Sequence, residues 1–162
     1  MKNTSYIFLL LCFLSSCDLF KTADEYYVEA ETLRNDGSPK EAIKLLKKIT
    51  VKFSDDAKTP DAQYLIAEIY YRDLQDFSKS ISEYRKFSAT FPRNNKVPFS
   101  VFMQGYIHAN ELMNHDSASV IYKNFIDKYP NHEMVESVKF ELKYLGLGIN
   151  EIPELKHLIE KK

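Results

Sequence analysis

Apolar residues recur along this chain at two superposed periods. Within one stretch they fall at helical spacing: Ala42, Ile43, Leu46, Ile49 and Phe53 stand at i, i+1, i+4, i+7 and i+11, the apolar stripe of one amphipathic helix. The same register then returns every 38 residues. Ala42, Ser80 and Ala118 form one rung, Leu46, Tyr84 and Tyr122 a second, Ile49, Phe87 and Phe125 a third, and Phe53, Phe91 and Tyr129 a fourth. A second ladder lies upstream of it, with Tyr64 and Phe102, and Ala67 and Gly105, again 38 apart, and Tyr27 and Ala30 joining at 37. A fixed period of this length marks a repeat array, in which one unit cannot bury its own apolar face and neighbours supply the missing core.

The two ladders predict two kinds of helix per repeat. First-type helices are expected over Ala23–Asn35, from Thr59 to about Leu74, over Val97–Met113 and over Glu133–Leu145. Return helices are expected over Pro39–Phe53, Phe77–Phe91 and Asp116–Tyr129. Ser38 before Pro39, Thr59 before Pro60, and Asp116 read as helix starts, because Ser, Thr and Asp cap free N–H groups and proline suits the first helical position. The 37-residue spacing is assigned to an Asn35–Gly37 turn one residue shorter than Asp73–Asp76 and Asn114–Asp116. Small residues recur where two helices of a hairpin approach closely: Ala30, Ala67 and Gly105 on the first helices, Ala42, Ser80 and Ala118 on the second. Phe140 continues the first-helix ladder, but Lys143 occupies its small rung. The C-terminus is therefore read as a cap. Gly146-Leu147-Gly148 ends a helix and Glu151–Lys161 forms a last short one, with Ile152, Leu155, Leu158 and Ile159 over the open end. The expectation is an all-α solenoid of antiparallel helix hairpins, about eight helices over residues 23–162, with repeats about 23–57, 58–94 and 95–132 and a half-repeat and cap over 133–162.

The first 22 residues follow another pattern. Lys2 precedes a nine-residue apolar run, Tyr6–Leu14, too short to span a bilayer but long enough for the core of a signal peptide. Leu14-Ser15-Ser16-Cys17 ends it like a bacterial lipobox. Residues 1–16 are read as the signal peptide, Cys17 as the lipidated residue and 17–22 as a tether. Cys12 would leave with the signal, so the mature body would hold no thiol and no disulfide framework. Several acyl chains suffice for stable anchoring without a transmembrane helix. Asp18, directly after the cysteine, leaves inner and outer membrane both open.

Composition narrows the function. Hydrophobic content of 44% and charged content of 28% suit a folded body. A net charge of −1 provides no basic field for nucleic acid. Four glycines in the whole chain leave no phosphate-cradling loop, and neither GxxxxGK[ST] nor GxGxxG occurs. His108, His115, His132 and His157 lack HExxH or CxxC company, so no metal site is expected. Neither GxSxG nor a mature thiol is present for nucleophilic catalysis. The reading is a non-enzyme with no cofactor and no small-molecule substrate.

Tyr64, Ala67, Ser80 and Pro92, and again Phe102, Gly105, Ala118 and Pro130, resemble tetratricopeptide repeats, in which an aromatic, two small residues and a proline recur. The longer unit closing in Phe-Pro or Tyr-Pro is similar to the repeats of bacterial envelope lipoproteins and coordinators of the BamD and YbgF (CpoB) kind, and to small tetratricopeptide lipoproteins of Bacteroidota. BamD-type proteins carry five repeats, so this chain would hold only part of their contact set. The resemblance implies a concave groove lined by first helices that holds a protein or peptide partner. By alignment the groove takes Tyr27, Glu31, Arg34, Tyr64, Glu68, Tyr71, Arg72, Phe102 and Tyr106. The implied role is a lipid-anchored scaffold facing the periplasm, in outer-membrane protein assembly or envelope coordination. The alternative is an accessory carrier of secreted or peptidoglycan-linked cargo.

Overall fold

A computed structural model describes residues 21–153, apart from the side chain of Ile149. The expected signal peptide, Cys17 and residues 154–162 of the expected last helix lie outside the described residues. Within them the chain is all-α, of the tetratricopeptide-like solenoid class, with no strand. The helices are α1 Ala23–Asn35, α2 Pro39–Lys52, α3 Thr59–Arg72, α4 Phe77–Thr90, α5 Val97–Tyr106, α6 His115–Lys128 and α7 Val135–Lys143. A π-helical turn, Ile107–Glu111, follows α5, and a 3-10 turn, Ile149–Glu151, follows α7. The helices divide into two compact units. One runs to Gln63 and holds α1, α2 and the opening turn of α3; the other begins at Tyr64.

In the first unit, α1 starts at a capping box. The Glu25 amide donates to Thr22 Oγ1 at 3.2 Å, and the Thr22 amide donates to Glu25 Oε2 at 2.8 Å, so two otherwise orphaned N–H groups are satisfied. The bonds from Thr22 hold the Glu25 carboxyl below its usual range. The small rungs Ala30 and Ala42 are fully buried, as are Leu46 and Ile49, and α1 packs on α2. Tyr26 is buried with its ring 6.0 Å from that of Phe53. Burying each of the large side chains contributes roughly 1.5–3 kcal/mol. Ser38 stands at the N-cap of α2 as expected, but its side chain makes no capping bond; Pro39 at the first helical position carries the start.

The second unit has two apolar clusters. One gathers Tyr64, Ala67, Ile81, Tyr84, Phe87, Val97, Met103 and Ile107, the other Ala109, Ala118, Tyr122, Phe125, Val135 and Val138. Phe102, Val101 and Tyr129 pack against both. Ser80, the polar member of its small rung, is fully buried and donates to the Ala67 carbonyl at 2.9 Å. Side-chain caps start the return helices: Asp76 Oδ1 accepts from the Lys79 amide and Asn114 Oδ1 from the Ser117 amide, both at 3.1 Å. Asn114 therefore replaces Asp116 as the cap of α6, and α6 starts at His115. The shift is geometric, since the capping oxygen must reach an amide three residues on.

The origin of the 37-residue spacing also needs correction. The left-handed residues of the three turns, Gly37, Gln75 and Met113 (φ 77°, 50° and 50°), keep a strict 38-residue spacing. The extra residue of the later repeats sits upstream, in the last turn of the first helix. There the Leu74 amide reaches the Ile69 carbonyl and the Leu112 amide the Ile107 carbonyl, both at 3.1 Å and five residues back. In the third repeat this widened ladder is a π turn, so Val97–Met113 is not one continuous α-helix.

A further set of rungs appears between repeats. Asp56, Asn94 and His132, each 38 apart, accept from the amide two residues on: Lys58 to Asp56 Oδ1 at 2.8 Å, Lys96 to Asn94 Oδ1 at 2.9 Å, Met134 to His132 Nδ1 at 3.2 Å. Their own amides bond back to Phe53, Phe91 and Tyr129 at 3.0, 2.9 and 3.0 Å. The α7 helix is shorter than expected, Val135–Lys143. It gives way to Gly146 at φ 84°, a conformation glycine adopts without steric cost.

Candidate partner-binding face

The residues expected on the groove separate between the two units. In the first unit, Tyr27 is partly buried with Lys58 Nζ 5.0 Å above its ring, Glu31 is exposed and Arg34 is partly buried. Lys58 also pairs with Asp24 at 3.3 Å. These side chains form a small mixed-charge patch on α1.

In the second unit the expected residues of α3 and α5 lie within one aromatic and polar face. Tyr71, from α3, donates its hydroxyl to Glu111 Oε1 at 3.2 Å and rests on Phe77 with ring centres 6.1 Å apart. Burial, then Glu111, pushes the Tyr71 hydroxyl up to about 12. Tyr106 and Arg72 both act electrostatically on that hydroxyl. Phe102 sits 5.9 Å from Tyr106 and 6.1 Å from Phe99, and stacks on Tyr122 at 6.1 Å and 23°. Tyr71, Phe102, Tyr106 and Glu68 are partly buried and Arg72 is exposed. Aromatic rings fixed on helices beside an arginine and carboxylates are the side-chain types enriched at interface anchors.

Tyr64 is different. It is 9% exposed, and its ring meets Tyr84 and Phe87 edge-on at 5.6 and 5.3 Å. Lys96 Nζ lies 5.0 Å over the ring. Burial, then the Glu68 charge, pushes the Tyr64 hydroxyl up to about 12, and its hydroxyl hydrogen-bonds that of Tyr84. This side chain holds the core and supports the face from beneath.

Two features escaped the sequence reading. Glu111 joins the face because the π turn carries it there, and a pattern of helical spacing has no signal for a local widening. A pocket of about 460 Å³ opens among Ala109, Met113, Phe140, Tyr144, Leu145 and Ile152. The Glu141 carboxyl also lines it, and burial raises its pKa. Met113 and Leu147, both lining it, are 70% and 48% exposed, so this is an apolar rim open to solvent. No described helix is long and apolar enough to cross a membrane.

No curated protein matches this chain. A family pattern does, and it agrees with the tetratricopeptide-like helices and the resemblance to BamD-type proteins. The pattern of YfiO, described as an outer membrane lipoprotein, covers residues 20–148, well over half of the sequence, and on that match the chain belongs to the YfiO family of outer membrane lipoproteins.

Proposed function

We propose that this chain is a non-enzymatic scaffold, anchored through acylated Cys17 in the outer membrane and facing the periplasm. On this reading it holds a protein partner in outer-membrane protein assembly or envelope coordination. The observation that carries the reading is the face on the second unit, where Tyr71, Phe102 and Tyr106 present partly exposed rings beside Glu68, Arg72 and Glu111. Rigid aromatics with few rotamers lose little entropy on contact, and flanking charges set orientation. A partner helix or peptide with an apolar stripe and both signs of charge fits such a surface. Tyr27, Glu31 and Arg34 offer a second, smaller patch on the first unit.

The test is photocrosslinking in native membranes, with the reactive group placed at Tyr71 or Tyr106 and, as control, at exposed Lys86 on α4. A discrete crosslinked partner from the first two positions and none from the third is expected. Crosslinks of equal strength from Lys86 would remove the assignment of the face. Loss of outer-membrane barrels on deletion of the protein would support assembly over cargo carriage. Cys17→Ala should leave only a membrane association that about 0.5 M salt removes, whereas the acylated protein stays bound in that salt; salt-resistant association of the variant would count against the anchor.

A further inference from the structure

The outward side of α2 is a lysine field. Lys40, Lys44, Lys47 and Val51 fall within about 60° of one another on the helix, with Lys48 and Lys52 extending the same side. The opposite side carries the buried Ala42, Ile43, Leu46 and Ile49. Five lysines stand on α2 against one acid, Glu41, which pairs with Lys44 at 2.7 Å. The field is about 18 Å long from Lys40 to Lys52. At its C-terminal end Val51 is 78% exposed, an apolar side chain of the kind that enters a headgroup layer. Among the acidic residues of α1, Glu29 pairs with Lys21 at 2.6 Å and Asp24 with Lys58 at 3.3 Å.

The field is also next to the way out toward the anchor. Lys21 Nζ and Lys48 Nζ both lie over the ring of Tyr26, at 5.7 and 5.2 Å, so the chain enters α1 beside the C-terminal half of α2. Lys21 stands four positions after Cys17, a reach of at most about 14 Å. We infer that the lysine face of α2 lies against an anionic phospholipid bilayer. The occupant follows from charge complementarity with the α2 lysines; the short tether, and the orientation it gives, rest on the proposed anchoring at Cys17. Laid down in this way, the first unit gains a second membrane contact that fixes how that unit stands on the surface.

Every described helix and cap lies after Lys21 or includes the residue just beyond it, so the chain beginning at Asp18 keeps all of them and lacks the anchor. That chain should co-sediment with vesicles of phosphatidylethanolamine and phosphatidylglycerol, not with phosphatidylcholine, and about 0.5 M salt should release it. Each lysine at an anionic surface contributes about fivefold in partition. The combined Lys40→Gln, Lys44→Gln, Lys47→Gln and Lys52→Gln variant should therefore bind on the order of several hundredfold more weakly. Val51→Glu, which keeps every lysine, should also weaken binding. The control removes the same charge from the second unit through Lys86→Gln, Lys123→Gln, Lys128→Gln and Lys139→Gln, with circular dichroism verifying helicity throughout. Absence of binding to anionic vesicles, or an equal loss in the control, overturns the inference. Because Cys17 is missing from this chain, the outcome is independent of the anchor, which Cys17→Ala tests separately.

Discussion

The ring of Tyr122 occupies the space that a side chain on Gly105 would need. A Cβ on Gly105 would lie 2.5 Å from Tyr122 Cε1, 2.8 Å from Cδ1 and 3.3 Å from Ile121 Cγ2. Tyr122 is fully buried and stacked on Phe102, so it has nowhere to retreat. Gly105→Ala should cost about 1–3 kcal/mol in overpacking, less about 1 kcal/mol regained in helix propensity. A net loss of up to about 2 kcal/mol, centred near 1 kcal/mol and read as a lower urea midpoint at unchanged slope, is expected. A variant as stable as the parent would show that the helices can part at this rung.

One repeat earlier, Tyr84 is the counterpart of Tyr122, and the two hydroxyls differ. That of Tyr84 bonds the Tyr64 hydroxyl, whereas the buried Tyr122 hydroxyl has no protein partner. The cause is visible in the ladder: Phe102 stands where Tyr64 stood, and it lacks the oxygen. Tyr84→Phe should therefore destabilise by about 0.5–1.5 kcal/mol, while Tyr122→Phe should be neutral or stabilising by up to about 1 kcal/mol. Thermal unfolding of the pair checks this, and equal losses in both would refute the account.

The repeat class was legible because Ala42, Ser80 and Ala118, or Leu46, Tyr84 and Tyr122, must fill one recurring space, and packing leaves its period in the sequence. Helix starts were less so. Asp116 and Asn114 are both competent caps, and only the chain's path into α6 decides between them. The π turn was invisible, since a widened hydrogen-bond ladder alters no residue type that patterning reads. The Asp56, Asn94 and His132 rung was hidden by chemistry: three residue types supply one acceptor atom at one place. On the candidate face, alignment found Tyr71, Phe102 and Tyr106, but it could not show that the Tyr64 ring turns into the core.

Gln75 and Met113 hold φ near 50° where the first repeat has Gly37 at 77°. A side chain in this region costs energy that glycine avoids, against the glycine's larger loss of chain entropy on folding. Gln75→Gly and Met113→Gly should each stabilise by about 0.5–1 kcal/mol, and Gly37→Ala should destabilise by about 1 kcal/mol. The sites lie in separate turns, so the two gains should add in a double variant. Chemical denaturation of the set is the measurement.

The inter-repeat acceptor predicts a graded series at His132. Its Nδ1 takes the Met134 amide at 3.2 Å, the bond that Asn94 Oδ1 makes to Lys96. His132→Asn should keep the turn, with some loss of ring contact to Phe125 and Tyr129, whose ring centres lie 5.9 and 6.4 Å away. His132→Ala should lose both, at about 1 kcal/mol more than the Asn variant. Hydrogen exchange at the Met134 amide reads the bond directly. Fast exchange in both variants would show that the Asn side chain does not substitute.

His108 sets a pH dependence in the second unit. Burial first, and then the positive charge of Arg85, lower its pKa from 6.5. Its Nδ1 is buried without a protein partner. In the folded chain the neutral ring is therefore favoured, and between the folded pKa and 6.5 the unfolded chain binds more protons. Stability contributed by the neutral ring is complete above 6.5, is lost as the pH falls from there toward the folded pKa, and changes no further below it. His108→Asn should remove that part of the slope. Melting temperatures at about pH 7.5 and about pH 5.5 should fall further apart in the parent than in the variant. The remaining histidines and the carboxylates are common to both chains and cancel in the difference. An equal or steeper decline in the His108→Asn chain would show that the ring is already as easily protonated in the fold as out of it.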